Sequence, residues 1–165
     1  EGYGPGGVAI MVETLTDNKN RTVSEVRHIF SKHGGNLAES GAVSWMFEQK
    51  GTLEVGKADI NEEDLLMMVL DAGAEDLQDG EDVHELFSTV SSFEEVKQTL
   101  EKNDIEFGQA SLSWIPKLEN MLEVEVDQVG KIIRLLESLE DLDDVQKVFS
   151  NFDLKEDALE AIVAL

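Results

Sequence analysis

From Val8 to Leu15 the chain reads V-A-I-M-V-E-T-L after a Gly/Pro turn, an apolar, β-branched run that predicts a buried strand. A helix follows. Thr22 and Glu25 have the spacing of a capping box, Gly34 is placed to close the end in the left-handed conformation, and Val23, Val26, Ile29 and Phe30 recur at helical steps as its buried stripe. Ala42 to Val55 holds two strand-like runs, V-S-W-M-F and T-L-E-V, divided by Gln49-Lys50-Gly51. A second helix is expected from about Glu62 to Ala72, with Asn61 as its N-cap and Gly73 beyond its end. Strands are expected at Ala74 to Leu77 and Val83 to Val90, and Ser92 with Glu95 opens a helix on Phe93, Val96 and Leu100. Ile105 to Ile115 reads as a strand ended by Pro116. A long helix from Val126 to Leu139 then turns Val129, Ile132, Ile133, Leu136 and Leu139 to one side. Val145 to Phe152 is the last predicted strand, and Lys155 to Leu165 a short amphipathic helix.

Gly51 to Pro116 thus spells strand, helix, strand, strand, helix, strand, the split βαβ or ferredoxin-like plan with two helices on one face of an antiparallel sheet. The flanking pieces supply a strand and helix before it and a helix and strand after it. The expected fold class is therefore α+β, with two sandwich-like α/β domains. Residues 1–43 and 117–165 form a discontinuous α/β domain with a C-terminal tail, and residues 44–116 are a ferredoxin-like domain inserted into it. At 165 residues the chain is long enough for one average domain or two small ones.

Charge sharpens this picture because it is divided so unevenly. Up to Lys50 there are five Lys/Arg and six Asp/Glu; from Gly51 onward there are eight against thirty. Such a chain repels nucleic acid over most of its surface, yet Lys19, Arg21, Arg27, His28, Lys32 and His33 lie close together in the first helix and its lead-in. Each of Lys19, Arg21, Arg27 and Lys32 can add a phosphate contact to a salt-dependent affinity. The competing account is a solvated face of mixed charge, since Asp17 and Glu25 lie among them. No aromatic stacking platform stands beside the segment, and Trp45 and Trp114 are expected in the core or sheet.

Other chemistry is sparse. There is no cysteine, which excludes disulfides, thiolate metal sites and a cysteine nucleophile and fits a reducing compartment. His28 and His33 are five apart, on different faces of a helix, unlike the pair of a zinc helix; the third histidine is His84. The acidic stretches at Asp71 to Asp82 and Asp141 to Asp144 lack the order of an EF-hand loop. Gly4-Pro5-Gly6-Gly7 precedes a strand and lacks the ending of a phosphate-binding loop, so it reads as a tight turn. With no serine elbow, histidine-based dyad or Walker loop, the expectation is a non-enzyme without cofactor or metal. No apolar run is long enough to span a bilayer, and no membrane role is expected. The first residue is Glu1 rather than Met, so the chain is read as part of a longer protein.

Several stretches together resemble the YebC family: E-G-Y-G-P-G-G-V-A-I at Glu1 to Ile10, N-R-T-V-S-E-V-R-H-I-F-S-K-H-G-G-N-L at Asn20 to Leu37, and G-A-V-S-W-M-F at Gly41 to Phe47. L-D-A-G-A-E-D at Leu70 to Asp76, W-I-P at Trp114 to Pro116, and L-E-D-L-D-D-V-Q-K-V-F-S-N-F-D at Leu139 to Asp153 continue the match in order. The resemblance implies a three-domain protein: a basic helical N-terminal domain, absent here, then a middle α/β domain and a ferredoxin-like domain inserted into it. It implies a DNA-binding transcriptional regulatory protein. The alternatives are a translational activator that binds RNA or ribosomal proteins on the ribosome, as for the mitochondrial activator of cytochrome oxidase subunit one, and an acidic protein-interaction module. The expected partners are nucleic acid, met through Lys19, Arg21, Arg27, His28 and Lys32 with the absent domain, and basic proteins for the acidic domain. A monomer is expected, in a bacterial cytoplasm, or in a mitochondrial matrix if the source is eukaryotic. The lack of a recognisable helix-turn-helix weighs against specific major-groove reading.

Overall fold

A computed structural model describes residues 1–154, so the helix expected at Lys155 to Leu165 lies outside the described residues. In chain order the elements are β1 (Gly2–Tyr3), β2 (Ala9–Thr14), α1 (Lys19–Lys32), β3 (Asn36–Leu37), β4 (Phe47–Gly56), α2 (Glu62–Leu70) and β5 (Ala74–Asp79). There follow β6 (Val83–Ser88), α3 (Phe93–Lys102), β7 (Phe107–Pro116), β8 (Leu122–Val124), α4 (Val126–Glu140), β9 (Val145–Ser150) and β10 (Phe152–Leu154). The chain forms two compact units, one from Glu1–Glu48 together with the segment from Ile115, the other from Gln49–Trp114. The class is α+β.

The discontinuous unit is built on a four-stranded sheet of order β3-β1-β2-β9. β2 runs antiparallel to both β1 and β9, with Ile10 opposite Ser150 and Val12 opposite Val148. Val8 and Ile10 bury against Val26 and Phe30 of α1 and against Val129, Ile132, Leu135 and Leu139 of α4. Within α4 the buried row passes through Leu135, while Ile133 is exposed, because a one-sided helix buries about every third or fourth residue and the row is set by the sheet beneath it. The last predicted strand is in fact two. Asn151 breaks it: its side-chain Oδ1 accepts from the Ala9 N–H (2.8 Å) and its Nδ2 donates to the Asn120 carbonyl (2.8 Å), after which β10 pairs in parallel with β8. The Gly4–Gly7 turn closes as expected, with the Gly4 N–H on the Val8 carbonyl (2.8 Å). The Glu1 carboxylate draws in the loop that follows β3, accepting from the backbone N–H groups of Gly41, Val43 and Ser44 at 2.9 to 3.0 Å.

The inserted unit has the split βαβ plan, a sheet of order β5-β6-β4-β7 with β6 lying between β4 and β5. Leu86 of β6 stands opposite both Leu53 of β4 and Leu77 of β5, and this row packs under Leu65 and Val69 of α2 and Val96 and Leu100 of α3. The two strand-like runs expected from Ala42 to Val55 are one strand preceded by a short 3-10 turn at Ser44–Met46. Gly51, taken in the sequence as a divider, sits inside β4 because a Cβ there would overlap the Phe93 ring. Asn61 caps α2 as expected, accepting from the Asp64 N–H (2.9 Å). Ser92 does precede α3, but its side chain makes no cap; its hydroxyl oxygen instead accepts from Thr89 (2.9 Å).

Candidate nucleic-acid interface

α1 starts earlier than its sequence signals suggest. Asn18 is the N-cap, its side chain accepting from the Arg21 N–H (3.2 Å), which leaves Thr22 inside the helix and buried. Thr22 is buried for a reason that no local pattern shows: its hydroxyl donates to Asp144 Oδ2 (2.7 Å), from the turn that leads into β9. Arg21 reaches the same oxygen (3.0 Å) and also Asp17 (3.2 Å), and Thr16 Oγ1 lies 3.1 Å from it. Hydrogen bonds from Thr22 and then Arg21 hold the Asp144 carboxyl below the usual aspartate range, and Asp144 in turn raises Arg21 above its ordinary value. At the far end, His33 Nε2 lies 3.1 Å from Ser138 Oγ of α4, and Gly34 takes the left-handed conformation (φ 81°) that ends the helix. Both ends of α1 are therefore tethered.

The helix buries Thr22, Val26 and Phe30. Val23, expected in that stripe, is 43% exposed; burial of Thr22 shifts the inward face by one position. Arg21, Arg27, His28 and Lys32 are exposed, as their spacing predicts, and Lys19 is exposed at the first residue of the helix. They do not form one patch. By helical geometry Asn20, Ser24 and Ser31 make the outermost ridge, with Arg27 along one side and Arg21, Glu25, His28 and Lys32 along the other, while Lys19, in line with Thr22 and Val26, is exposed at the helix start. Arg21 has its charge committed to carboxylates, so Lys19, Arg27 and Lys32 are the α1 cations that make no ion pair among the described residues. A small, polar ridge between two cationic flanks lets a polyanion come close to the helix.

Of the two tryptophans, Trp114 lies in the sheet as expected, in β7, but Trp45 does not. Trp45 is 58% exposed in the 3-10 turn, its indole N–H on the Ala42 carbonyl (2.9 Å), because the turn ties the ring edge to the loop rather than to a core. Trp114 is half-buried. On the sheet face of the inserted unit away from the helices, Thr52 bonds to the Ser111 carbonyl (3.1 Å), and Phe87, opposite Thr52 in register, is buried rather than displayed. Among the described residues no group of His, Asp and Glu is arranged to hold a metal ion, and no helix is long and apolar enough to cross a membrane.

A discontinuous α/β unit interrupted in sequence by a split βαβ unit, with a tethered basic helix in the first and seventeen Asp/Glu against four Lys in the second, defines a two-unit α+β protein. The second and third domains of TACO1/YebC proteins match residues 1–152, and the chain belongs to that family. It is 50% identical over 163 residues to a "probable transcriptional regulatory protein" of Desulfotalea psychrophila and 47% identical over 163 residues to one of Dictyoglomus turgidum, each match covering 98% of this chain. The chain spans 64% and 65% of the length of those two relatives. A crystal structure of a conserved hypothetical protein of Aquifex aeolicus, Aq1575, is similar at a TM-score of 0.83 and 48% identity, over 94% of this chain and 63% of that one.

Proposed function

We propose that this chain is the second- and third-domain part of a regulator of gene expression, a DNA-binding transcriptional regulatory protein whose α1 lies against the phosphate backbone. It acts by binding, not by catalysis. One observation carries the reading: in a chain of net charge −23, Arg27 and Lys32, which make no ion pair among the described residues, stand on either side of a ridge of small polar residues on α1. The names given to its relatives in Desulfotalea and Dictyoglomus agree with it. In this reading Lys19, Arg27 and Lys32 contact phosphates, His28 lies beside them, and Arg21 positions the helix through Asp144.

The test is a salt titration of fluorescence anisotropy with labelled duplex DNA. Three phosphate contacts predict a slope of log affinity against log salt of about −2.7, and Arg27→Glu with Lys32→Glu should reduce it by about two. Both positions are exposed, so the melting curve should not move. A slope and affinity indifferent to the double substitution would sink the reading.

A second reading, translational activation at the ribosome, is favoured by the inserted unit. It holds four Lys against seventeen Asp/Glu, and Lys50, Lys57 and Lys97 are paired with Glu75, Asp79 and Glu94. So anionic a unit suits a site rich in basic proteins better than bare duplex. Ribosomal RNA and purified ribosomes belong in the same titration, and preference for them over duplex DNA would move the assignment to translation.

A further inference from the structure

We infer that the outer face of α2 in the inserted unit is a docking surface for a Lys/Arg-rich amphipathic helix of a basic protein. The inference does not depend on which nucleic acid, if any, α1 meets.

Leu65 to Leu70 reads L-L-M-M-V-L, apolar around the whole circumference of a nine-residue helix. A helix with one face on a sheet needs only a stripe of such residues, and α2 has its stripe in the fully buried Leu65 and Val69. Met67 and Leu70 are left over. They are 72% and 57% exposed, and with Glu63 they form the solvent ridge at i, i+4 and i+7, with Asp71 at its end. Single exposed apolar residues are ordinary, but two adjacent ones on a ridge opposite the packed stripe serve nothing in this unit's core. Methionine is also the side chain that adapts best to a partner's shape.

Charge specifies the partner. From Ala58 to Val96 the chain has thirteen Asp/Glu and no Lys or Arg. The histidine in that span, His84, is buried under the helices, with Nε2 on the Ile60 carbonyl (3.0 Å). Glu63 and Asp71, at the two ends of the ridge, make no ion pair among the described residues, whereas Asp64 is turned back onto the Asn61 cap (2.7 Å). An apolar strip bounded by unpaired carboxylates complements a helix whose leucines are flanked by lysine or arginine. A second copy of this chain is a poor occupant, because it would bring a like-charged acidic unit against the first.

The experiment uses the whole chain and a fluorescein-labelled synthetic peptide with leucine at helical i, i+3, i+4, i+7 spacing and lysine elsewhere. A scrambled peptide of the same composition controls for charge alone. The amphipathic peptide should bind roughly tenfold more tightly than the scramble, and Met67→Gln with Leu70→Gln should erase that difference while leaving the circular-dichroism spectrum unchanged. Glu63→Gln with Asp71→Asn should weaken the amphipathic peptide and reduce the salt dependence of its binding. Equal binding of the two peptides, or indifference to the Met67 and Leu70 changes, overturns the proposal. So does concentration-dependent dimerisation in sedimentation that Met67→Gln with Leu70→Gln abolishes, since the face would then bind its own copy.

Discussion

Asn151→Ala should be among the most damaging substitutions of one polar residue in this chain. Asn151 is buried, and its amide makes two bonds: Oδ1 accepts from the Ala9 N–H and Nδ2 donates to the Asn120 carbonyl, both at 2.8 Å. Each such bond is worth about 1 kcal/mol net, but a buried group left without a partner costs roughly 1–3 kcal/mol. Ala9 is fully buried, so its N–H takes the full penalty, whereas Asn120 is half-buried and water can reach its carbonyl. The loss expected for Asn151→Ala is therefore about 3 kcal/mol. Asn151→Asp keeps an acceptor for Ala9 but sets a carboxylate oxygen against the Asn120 carbonyl. Burial and that carbonyl raise the new carboxyl's pKa in the folded state, so the native state binds more protons than the unfolded one. Stability should then fall as pH rises, and the deficit of Asn151→Asp should shrink between pH 7 and pH 5. Urea denaturation followed by circular dichroism gives the free energies, and amide exchange at Ala9 reports the broken bond directly. If Asn151→Ala lies within about 1 kcal/mol of the parent and Ala9 exchanges no faster, water has replaced the amide and the reasoning is wrong.

Two further outcomes follow from close contacts. Gly51→Ala should destabilise the inserted unit by about 1–3 kcal/mol despite alanine's smaller backbone entropy, because the new Cβ overlaps the Phe93 ring; a neutral or stabilising result in a urea titration would show that Phe93 can move away. Asp144→Asn should flatten the acid limb of the stability curve. Thr22 and Arg21 lower the Asp144 pKa, so its contribution is complete above the ordinary aspartate range and fades as pH falls through the lowered value. An acid limb unchanged in Asp144→Asn would remove Asp144 from that account.

Much of the architecture was legible because its signals are local. Asn61 as the cap of α2, the left-handed Gly34 after α1 and the strand–helix–strand order from Gly51 to Pro116 all rest on residues a few positions apart. The misreadings involve partners far away in the chain. Thr22 looks like a cap because Thr-x-x-Glu is a capping pattern, yet Asp144, 122 residues on, makes it an interior residue, and that burial turns Val23 outward. Gly51 looks like a breaker until Phe93 occupies the space above it. β1 and β3, of two residues each, are too short to carry periodicity and exist because β1 pairs with β3 on one side and β2 on the other. In the candidate site, exposure of Arg21, Arg27, His28 and Lys32 was legible from helical spacing; the withdrawal of Arg21 into the Asp144 cluster was not.

That withdrawal bears on how α1 can work. With Arg21 spent on Asp144 and Asp17, three phosphate contacts change affinity only about 40-fold between 50 and 200 mM salt, well short of the 10³–10⁵ of proteins with six to ten contacts. Acid elsewhere in the chain opposes even this. Under the proposed function, such a surface would steer and orient a polyanion more than hold one, and a tether at each end of α1 would suit that task, since orientation needs a rigid helix. Releasing the tether then has a distinct consequence. Thr22→Val removes the shortest bond to Asp144 and should cost stability, yet it leaves Lys19, Arg27 and Lys32 in place. If α1 orients its ligand, the substitution should lower the preference for duplex over single-stranded DNA while the salt slope stays the same. A fall in slope instead would mean that the helix itself has been lost as a source of phosphate contacts.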